Sequence, residues 1–279
     1  MTLNLNHLIP NVIDIAQASG RLILDIYQKG QFEQHIKSDN TPVTSADLAA
    51  NQLVVEQLSL LTPDIPVLSE EDANISLTER SQWPCYWLID PLDGTQEFIA
   101  GSGDFATIIA LIENNKPVIG VVYAPVSGVT YYAAQGQGAH KITADGETCV
   151  ISTNKHHSPL RALTIAISRR QNINTTKARF DSQYQYDLIE LGSASLKACL
   201  VAEGGADCYL RLGPTGEWDT AATQCIVEEA GGRIFNTHIT PLSYNLRQTL
   251  ENPNFIVLGD EQLPWTSILT ADDRLMTAE

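Results

Sequence analysis

Four acidic residues stand where they could hold a hard cation. Asp90 and Asp93 lie in the run Trp87-Leu88-Ile89-Asp90-Pro91-Leu92-Asp93-Gly94-Thr95, Glu70 heads the pair Glu70-Glu71, and Asp219 follows Trp218. Tyr86 to Ile89 has the length and apolarity of a buried strand. Proline fixes φ and cannot donate to a ladder, so this strand is expected to stop at Asp90. Asp93-Gly94 is turn chemistry, which places two carboxylates on one tight bend. Close like charges repel, and each resists ionising unless a cation lies between them. Oxygen ligands without His or Cys partners select hard ions, magnesium above all. Taken singly, Asp219 also reads as a helix-start acid favoured by the dipole, and Glu70-Glu71 as a solvated acidic loop.

The elements that must position these groups are legible from periodicity. Residues 7–28 carry apolar groups at helical spacing, with Lys29-Gly30 as a stop. A strand-like piece spans Phe32 to Lys37, followed by a polar loop from Ser38 to Pro42. Thr44 suits an N-cap, and Asp47 falls three residues on, where an acid reaches back to a free amide. That helix runs to about Leu61, and Val67-Leu68 is a short strand with Glu70-Glu71 at its exit. Ala106–Ile112, Val118–Tyr123, Val129–Ala133 and Thr148–Ile151 are separated by turn residues and predict an antiparallel meander. The second half alternates. Strands are expected at Ala162–Ile167, Tyr186–Leu191, Cys208–Leu212 and Phe255–Leu258, and helices at 174–181, Ser195–Glu203 and Asp219–Ala230. A polar stretch from Ser152 to Pro159 suggests a boundary, giving an N-terminal α+β domain over 1–155 and a C-terminal α/β domain over 156–279.

Among the 279 residues, 43% are hydrophobic and 18% charged, a balance that supports a sizeable core. The net charge of −16 repels a polyanion, so a nucleic-acid polymer is excluded as a general partner. No apolar run approaches the ~20 residues of a membrane span, and the start of the chain lacks the basic n-region of a secretory signal. Five scattered cysteines, never in Cys-x-x-Cys, fit reduced core residues of a cytoplasmic protein.

Asp90-Pro-Leu-Asp-Gly-Thr95, Ser69-Glu70-Glu71 and Glu217-Trp218-Asp219-Thr-Ala-Ala222 resemble the three signatures of the inositol monophosphatase-like phosphatases. The likeness runs in order from Thr44-Ser-Ala-Asp47 to Gly231-Gly232. It implies a layered αβαβα sandwich of mixed α/β and α+β character, with the site between the halves. It implies metal-dependent, often lithium-sensitive hydrolysis of a phosphate monoester with two or three Mg2+. Glu70, Asp90 and the carbonyl of Leu92 would hold one ion, Asp90, Asp93 and Asp219 a second, and a weaker third would lean on Glu70. Gly94 and Thr95 would bind the departing phosphate, and Asp47, bonded to Thr95, would help orient or deprotonate the attacking water. Two ions can clamp an in-line displacement, so no phosphoenzyme is expected.

The stretch from Leu191 through Ser193, Lys197 and Arg211 to Asp219 is similar to the bacterial 3'(2'),5'-bisphosphate nucleotidases of the CysQ type. These take the 3'-phosphate from adenosine 3',5'-bisphosphate, a by-product of sulfate activation. The resemblance implies substrate contacts from Glu70, Leu92, Asp93, Gly94, Thr95, Ser193, Lys197, Arg211 and Asp219. Inositol enzymes carry a glutamate near Arg211; an arginine cannot accept a hydrogen bond, but its planar fork can hold a second phosphate. Read without the family, Lys197 is equally an exposed lysine on a helix face, and Arg211 a surface strand cation. Ser168-Arg169-Arg170 is either a further phosphate contact or a solvated basic turn, and His156-His157 reads as loop surface. Thr223-Gln224 departs from relatives that carry a glycine there and touches helix packing or the base pocket. The rivals are an inositol or sugar monophosphatase with the same metals, and a non-catalytic nucleotide-binding protein. A homodimer is left open. Some relatives associate peripherally with the inner membrane, but no basic amphipathic segment here requires it.

Overall fold

The computed structural model describes residues 4–37, 41–155 and 162–270. Helix α1 (Leu5–Lys29) buries Leu8, Val12, Ile15, Ala16 and Ile23, one stripe of its helical repeat, and ends at Gly30 in the left-handed region. A small antiparallel ribbon, β1 (Gln34–Ile36) with β2 (Pro42–Thr44), leads into α2 (Ser45–Leu61). The cap of α2 is as anticipated: the Thr44 side chain accepts from Ala46 N–H, and the Thr44 N–H donates to Asp47 at 2.7 Å.

The larger sheet has seven strands in spatial order: β3 (Val67–Ser69), β4 (Cys85–Asp93), β5 (Ala106–Glu113), β6 (Lys116–Ala124), β7 (Val129–Ala134), β8 (Ala139–Ile142) and β9 (Thr148–Ile151). Only the β3–β4 pair is parallel; the rest is the meander, with β8 an additional strand that periodicity did not separate from its turns. Helix α3 (Leu77–Arg80) precedes β4, and a one-and-a-half-turn helix, α4 (Thr95–Ala100), follows it.

The smaller sheet joins β10 (Ala162–Ser168), β11 (Gln185–Leu191), β12 (Cys208–Arg211), β13 (Arg233–Asn236) and β14 (Phe255–Leu258) in the order β11-β10-β12-β14-β13. Four helices accompany it: α5 (Ile173–Lys177), α6 (Ala194–Ala202), α7 (Glu217–Glu229) and α8 (Trp265–Ile268).

Packing makes five layers. Val12, Ile15, Val54 and Leu58 of α1 and α2 cover one face of the large sheet at Trp87, Ile89, Ile109 and Val121. Helices α6 and α7 fill the space between the sheets, with Ala198, Cys199, Ala222 and Ile226 touching Leu88, Ile108 and Val122 on one side and Tyr209 and Val257 on the other. Phe180, Trp265 and Ile268 close the outer face at Leu163, Ile165 and Ile256. This is the αβαβα sandwich expected from the sequence. Both faces of β5 are covered, which is why that strand is an unbroken apolar run rather than an alternating one. The boundary expected at 152–159 falls on a stretch of which 156–161, His156 and His157 included, lie outside the described residues, as do Ser38 to Asn40.

One expectation is corrected. The central strand does not stop at Asp90 but continues through Pro91 to Asp93. Asp90 faces Ile108 and Asp93 faces Ala106, so three steps on β4 oppose two on β5. This is a bulge, the one interior position where a proline's missing donor costs no ladder bond. The Pro91 carbonyl instead accepts from the Thr107 hydroxyl at 3.0 Å. In a regular strand, residues 90 and 93 would point to opposite faces. The extra residue brings both carboxylates to the same side.

Candidate active site

The bulge delivers Asp90 and Asp93, and α7 delivers Asp219. Helix α7 begins two residues earlier than predicted, at Glu217, so Asp219 is its third residue and accepts the Gly216 N–H at 2.6 Å. Carboxylate oxygens of Asp90, Asp93 and Asp219 lie within 4.8 Å of one another. Burial, then the charge of neighbouring acids, pushes the Asp90 and Asp219 carboxyls well above the usual range. The fit to a hard cation is direct: three mutually repelling oxygen donors, with neither imidazole nor thiolate in the cluster.

Glu70 stands beside this triad, in a single 3-10 turn (Glu70–Asp72) at the exit of β3. Burial raises its carboxyl, as it does that of the neighbouring Asp90. Lys37, at the end of the β1 ribbon strand, donates to Glu70 at 2.9 Å and to Glu71 at 2.8 Å. Burial raises Glu71 to about 7 although Lys37 pulls it down. Sequence reasoning missed Lys37; a lone lysine ending a weak strand carries no signal of its distant partners.

The bend itself is held from both sides. The Leu92 N–H donates to Asp90 at 3.0 Å. The Thr95 hydroxyl donates to Asp47 at 2.8 Å, the pair that the family resemblance implied, and lies 3.3 Å from the Leu92 carbonyl. Asp47 is 1% exposed and also accepts both donors of Thr44, so its carboxylate faces three donors in a dry setting. Gly94 has φ 96, and a Cβ there would meet the Asp104 carbonyl at 2.9 Å, so only glycine permits this close approach of the bend to the 104–105 backbone.

From the other sheet, Ser193 and Ser195 at the start of α6 both donate to one oxygen of Asp93, and the Ser195 N–H adds a third bond at 2.9 Å. Ser195 was not anticipated as a site residue; it reads as an ordinary helix-start hydroxyl until the tertiary contact is seen. Lys197 is no exposed helix lysine. It is 2% exposed, and burial, opposed chiefly by Asp93, lowers it to about 8. Arg211, at the end of β12, donates to the Pro214 carbonyl at 3.0 Å, while its Nε is buried without an acceptor among the described residues.

The basic turn after β10 is exposed but ion-paired, and Ser168 and Arg170 line the cavity. Arg170 bonds Glu97 at 2.8 Å and the Gln96 carbonyl at 3.0 Å, and Arg169 pairs with Asp104 at 2.7 Å. Arg170 thereby ties the second sheet to α4, and Arg169 ties it to the loop that follows that helix. Thr223 and Gln224 pack within α7, Gln224 accepting the Tyr244 hydroxyl at 2.7 Å. Their departure thus bears on helix packing. Glu217 is fully buried and takes the Asn245 N–H at 2.8 Å and Arg247 at 3.1 Å, bracing the 245–251 loop.

Asp90, Asp93, Asp219, Glu70, Thr95, Lys197 and Arg211 all line one cavity of about 600 Å3 between the two halves. Its walls are acidic on the β4 side and basic on the β12 side. Three cysteines are buried as expected, while Cys85 is half-buried and Cys149 exposed; all five are free thiols. Among the described residues, no helix is long and apolar enough to cross a membrane.

Comparison with known proteins agrees with this geometry. A 3'(2'),5'-bisphosphate nucleotidase CysQ from Aggregatibacter actinomycetemcomitans is 44% identical over 94% of this chain and 96% of its own length. The protein of that name from Haemophilus influenzae is 44% identical over 96% of this chain and 98% of its own. The crystal structure of CysQ from Bacteroides thetaiotaomicron, described as a bacterial member of the inositol monophosphatase family, superposes with a TM-score of 0.77 at 37% identity, covering 90% of this chain and 97% of that one. The inositol monophosphatase family profile matches residues 4–263, and this chain belongs to that family.

Proposed function

We propose that the chain is a magnesium-dependent phosphomonoesterase that removes the 3'-phosphate of adenosine 3',5'-bisphosphate, yielding AMP and phosphate. The observation that carries this reading is the buried triad Asp90, Asp93 and Asp219 opening on a cavity whose opposite wall holds Arg211 and Lys197. The relatives named for this activity, at 44% identity, supply the substrate class. Asp90, Asp93 and Asp219 would hold one magnesium, and Glu70, Asp90 and the Leu92 carbonyl another, with Glu70 the ligand left for a third. Bound magnesium supplies positive charge that offsets the phosphate dianion and acidifies water.

The protein's own groups do the rest. Thr95 donates its proton to Asp47, which fixes the hydroxyl rotor and turns its lone pairs outward to accept a proton from the attacking water. Asp47 is the residue that stabilises that proton. Backbone amides at Gly94 and Thr95, on the cavity wall, hold the departing phosphate. Arg211 turns its fork toward the 5'-phosphate, and Ser193 shapes the wall between the two phosphates. Lys197, beside Asp93, adds positive charge to the same wall.

The test is phosphate release from a substrate panel with and without Mg2+. The bisphosphate should be turned over at least 10-fold more efficiently than inositol 1-phosphate. Preference for inositol 1-phosphate overturns the substrate assignment, and magnesium-independent binding with no release overturns the enzyme.

A further inference from the structure

Helix α6 starts from an unusual backbone. Ser193, its N-cap, has φ 43 and ψ 132, a conformation non-glycine residues seldom adopt. Something must hold it there. Three successive carbonyls, of Leu191, Gly192 and Ser193, converge on the Lys197 ammonium, the first at 3.3 Å, the second at 2.8 Å and the third in a short contact. An ammonium has three donors and no acceptor, so these carbonyls use all of them. The Tyr209 ring, with its centroid 5.1 Å away, closes the remaining side. The turn so fixed is the one that carries Ser193 and Ser195, whose hydroxyls both bond one oxygen of Asp93. The other oxygen takes only the long Ala194 N–H contact at 3.4 Å, so the same turn fixes both oxygens of a carboxylate that lies within 4.8 Å of those of Asp90 and Asp219.

We propose that Lys197 is a positioning residue: it clamps the Leu191–Ser193 turn so that Ser193 and Ser195 orient Asp93 toward a bound cation, and it does not itself contact phosphate. The inference rests on Asp93 holding a metal. It makes an unusual sign prediction. Through space, removing a positive charge near Asp93 favours cation binding; loss of the clamp disfavours it. Groups that orient a metal ligand are typically worth 10–100-fold in metal affinity.

The experiment is calorimetric titration of the substrate-free protein with Mg2+, comparing wild type, Lys197→Met and Ser195→Ala, alongside KM for adenosine 3',5'-bisphosphate and for 3'-AMP, which lacks the 5'-phosphate. Both variants should bind Mg2+ about 10-fold more weakly, and Lys197→Met should raise KM equally for the two nucleotides. Unchanged or tighter Mg2+ binding by Lys197→Met, with KM raised for the bisphosphate alone, makes Lys197 a direct phosphate ligand and overturns the proposal. Should Lys197→Met not fold, Ser195→Ala decides: wild-type Mg2+ affinity in that folded variant also overturns it. A wild-type protein that binds no Mg2+ removes the metal reading itself, and the proposal with it.

Discussion

Replacing Gly120 by alanine asks whether helix packing, rather than the acids themselves, sets the metal geometry. Gly120 lies in the middle of β6, paired with Ala110 and Ala133. A methyl there would fall 2.1 Å from the Ala222 carbonyl oxygen and 2.9 Å from its Cα, both backbone of α7. Ordinary contact begins at 3.4 Å, so the helix must withdraw by about 1 Å. Overpacking of this kind costs about 1–3 kcal/mol. At roughly 2–4 °C per kcal/mol, the melting temperature should fall by about 2–12 °C. Asp219 rides on the same helix one turn before Ala222, in a triad whose oxygens span 4.8 Å. A displacement of about 1 Å at a reacting centre costs on the order of 100-fold. The assay is kcat/KM with a magnesium titration at each substrate concentration, beside a circular-dichroism melt. Activity should drop about 100-fold, with a higher half-saturating Mg2+. Gly136→Ala is the comparison. No atom lies within 4 Å of its Cβ, and its φ of 76 makes the cost purely one of backbone, so it should lose stability and keep kcat/KM. A stable Gly120→Ala enzyme with wild-type kcat/KM and magnesium requirement would refute the reasoning.

Three further outcomes follow from the same geometry. Asp93→Asn should lose about 100- to 1,000-fold in kcat, the range for one preorganised electrostatic group, while its metal-free melting temperature holds or rises because a repelling carboxylate is gone; an active Asp93→Asn enzyme sinks the triad as a metal site. Arg211→Met should raise KM for the bisphosphate about 10-fold or more and leave 3'-AMP nearly unchanged, since a charge-assisted contact is worth roughly 1.5–3 kcal/mol; equal losses on both place Arg211 elsewhere. The pH dependence of the metal-free protein has a defined sign. Asp90, Asp219 and Glu70 are raised, and Glu71 reaches about 7, each with burial as the largest cause. The folded state therefore binds more protons than the unfolded one above pH ~4, and its stability is lost as pH rises through 7. Melting temperature should fall between pH 5 and 8 without metal, and Mg2+ should raise it more at pH 8 than at pH 5.5. A metal-free curve that rises with pH contradicts the raised carboxyls of this cluster.

What the chain disclosed in advance, and what it withheld, follows from the range of the interactions. Thr44 and Asp47 were legible because a cap is a contact over three residues. The meander was legible because turns punctuate it, and the acids because they end elements. The bulge at Pro91 was not: local chemistry says that proline stops a strand, and only pairing with β5 shows how the strand absorbs it. Helix α4 was hidden because six residues after a left-handed glycine carry too little periodicity. The partners of Lys37, Ser195 and Arg170 lie 33, 102 and 73 residues away, and no pattern in sequence encodes such distances. Lys197 is the sharpest case. The resemblance implied a substrate contact there, whereas its burial against three carbonyls depends on a turn whose backbone is strained, which no local pattern announces.

The site is a set of charges that the fold must hold against their own repulsion. Four carboxyls crowd one end of the cavity, and no network of their own making keeps them there. Without a cation, burial and mutual repulsion raise Glu70 and Asp90, and Lys37 lends its charge to Glu70 and Glu71. The restraining force comes from elsewhere: β4 is anchored by two apolar faces, α7 by contact with Gly120, and Asp93 by the hydroxyls of α6. The four acids therefore arrive on three separate elements, Glu70 at the exit of β3, Asp90 and Asp93 on β4 and Asp219 on α7, and none can relax without moving a packed core. That is the condition for a cation to gain from entering, since its binding relieves repulsion that the folded chain cannot relieve alone. It follows that mutations in the apolar layer between the sheets should appear first as changed magnesium dependence, before any loss of substrate affinity.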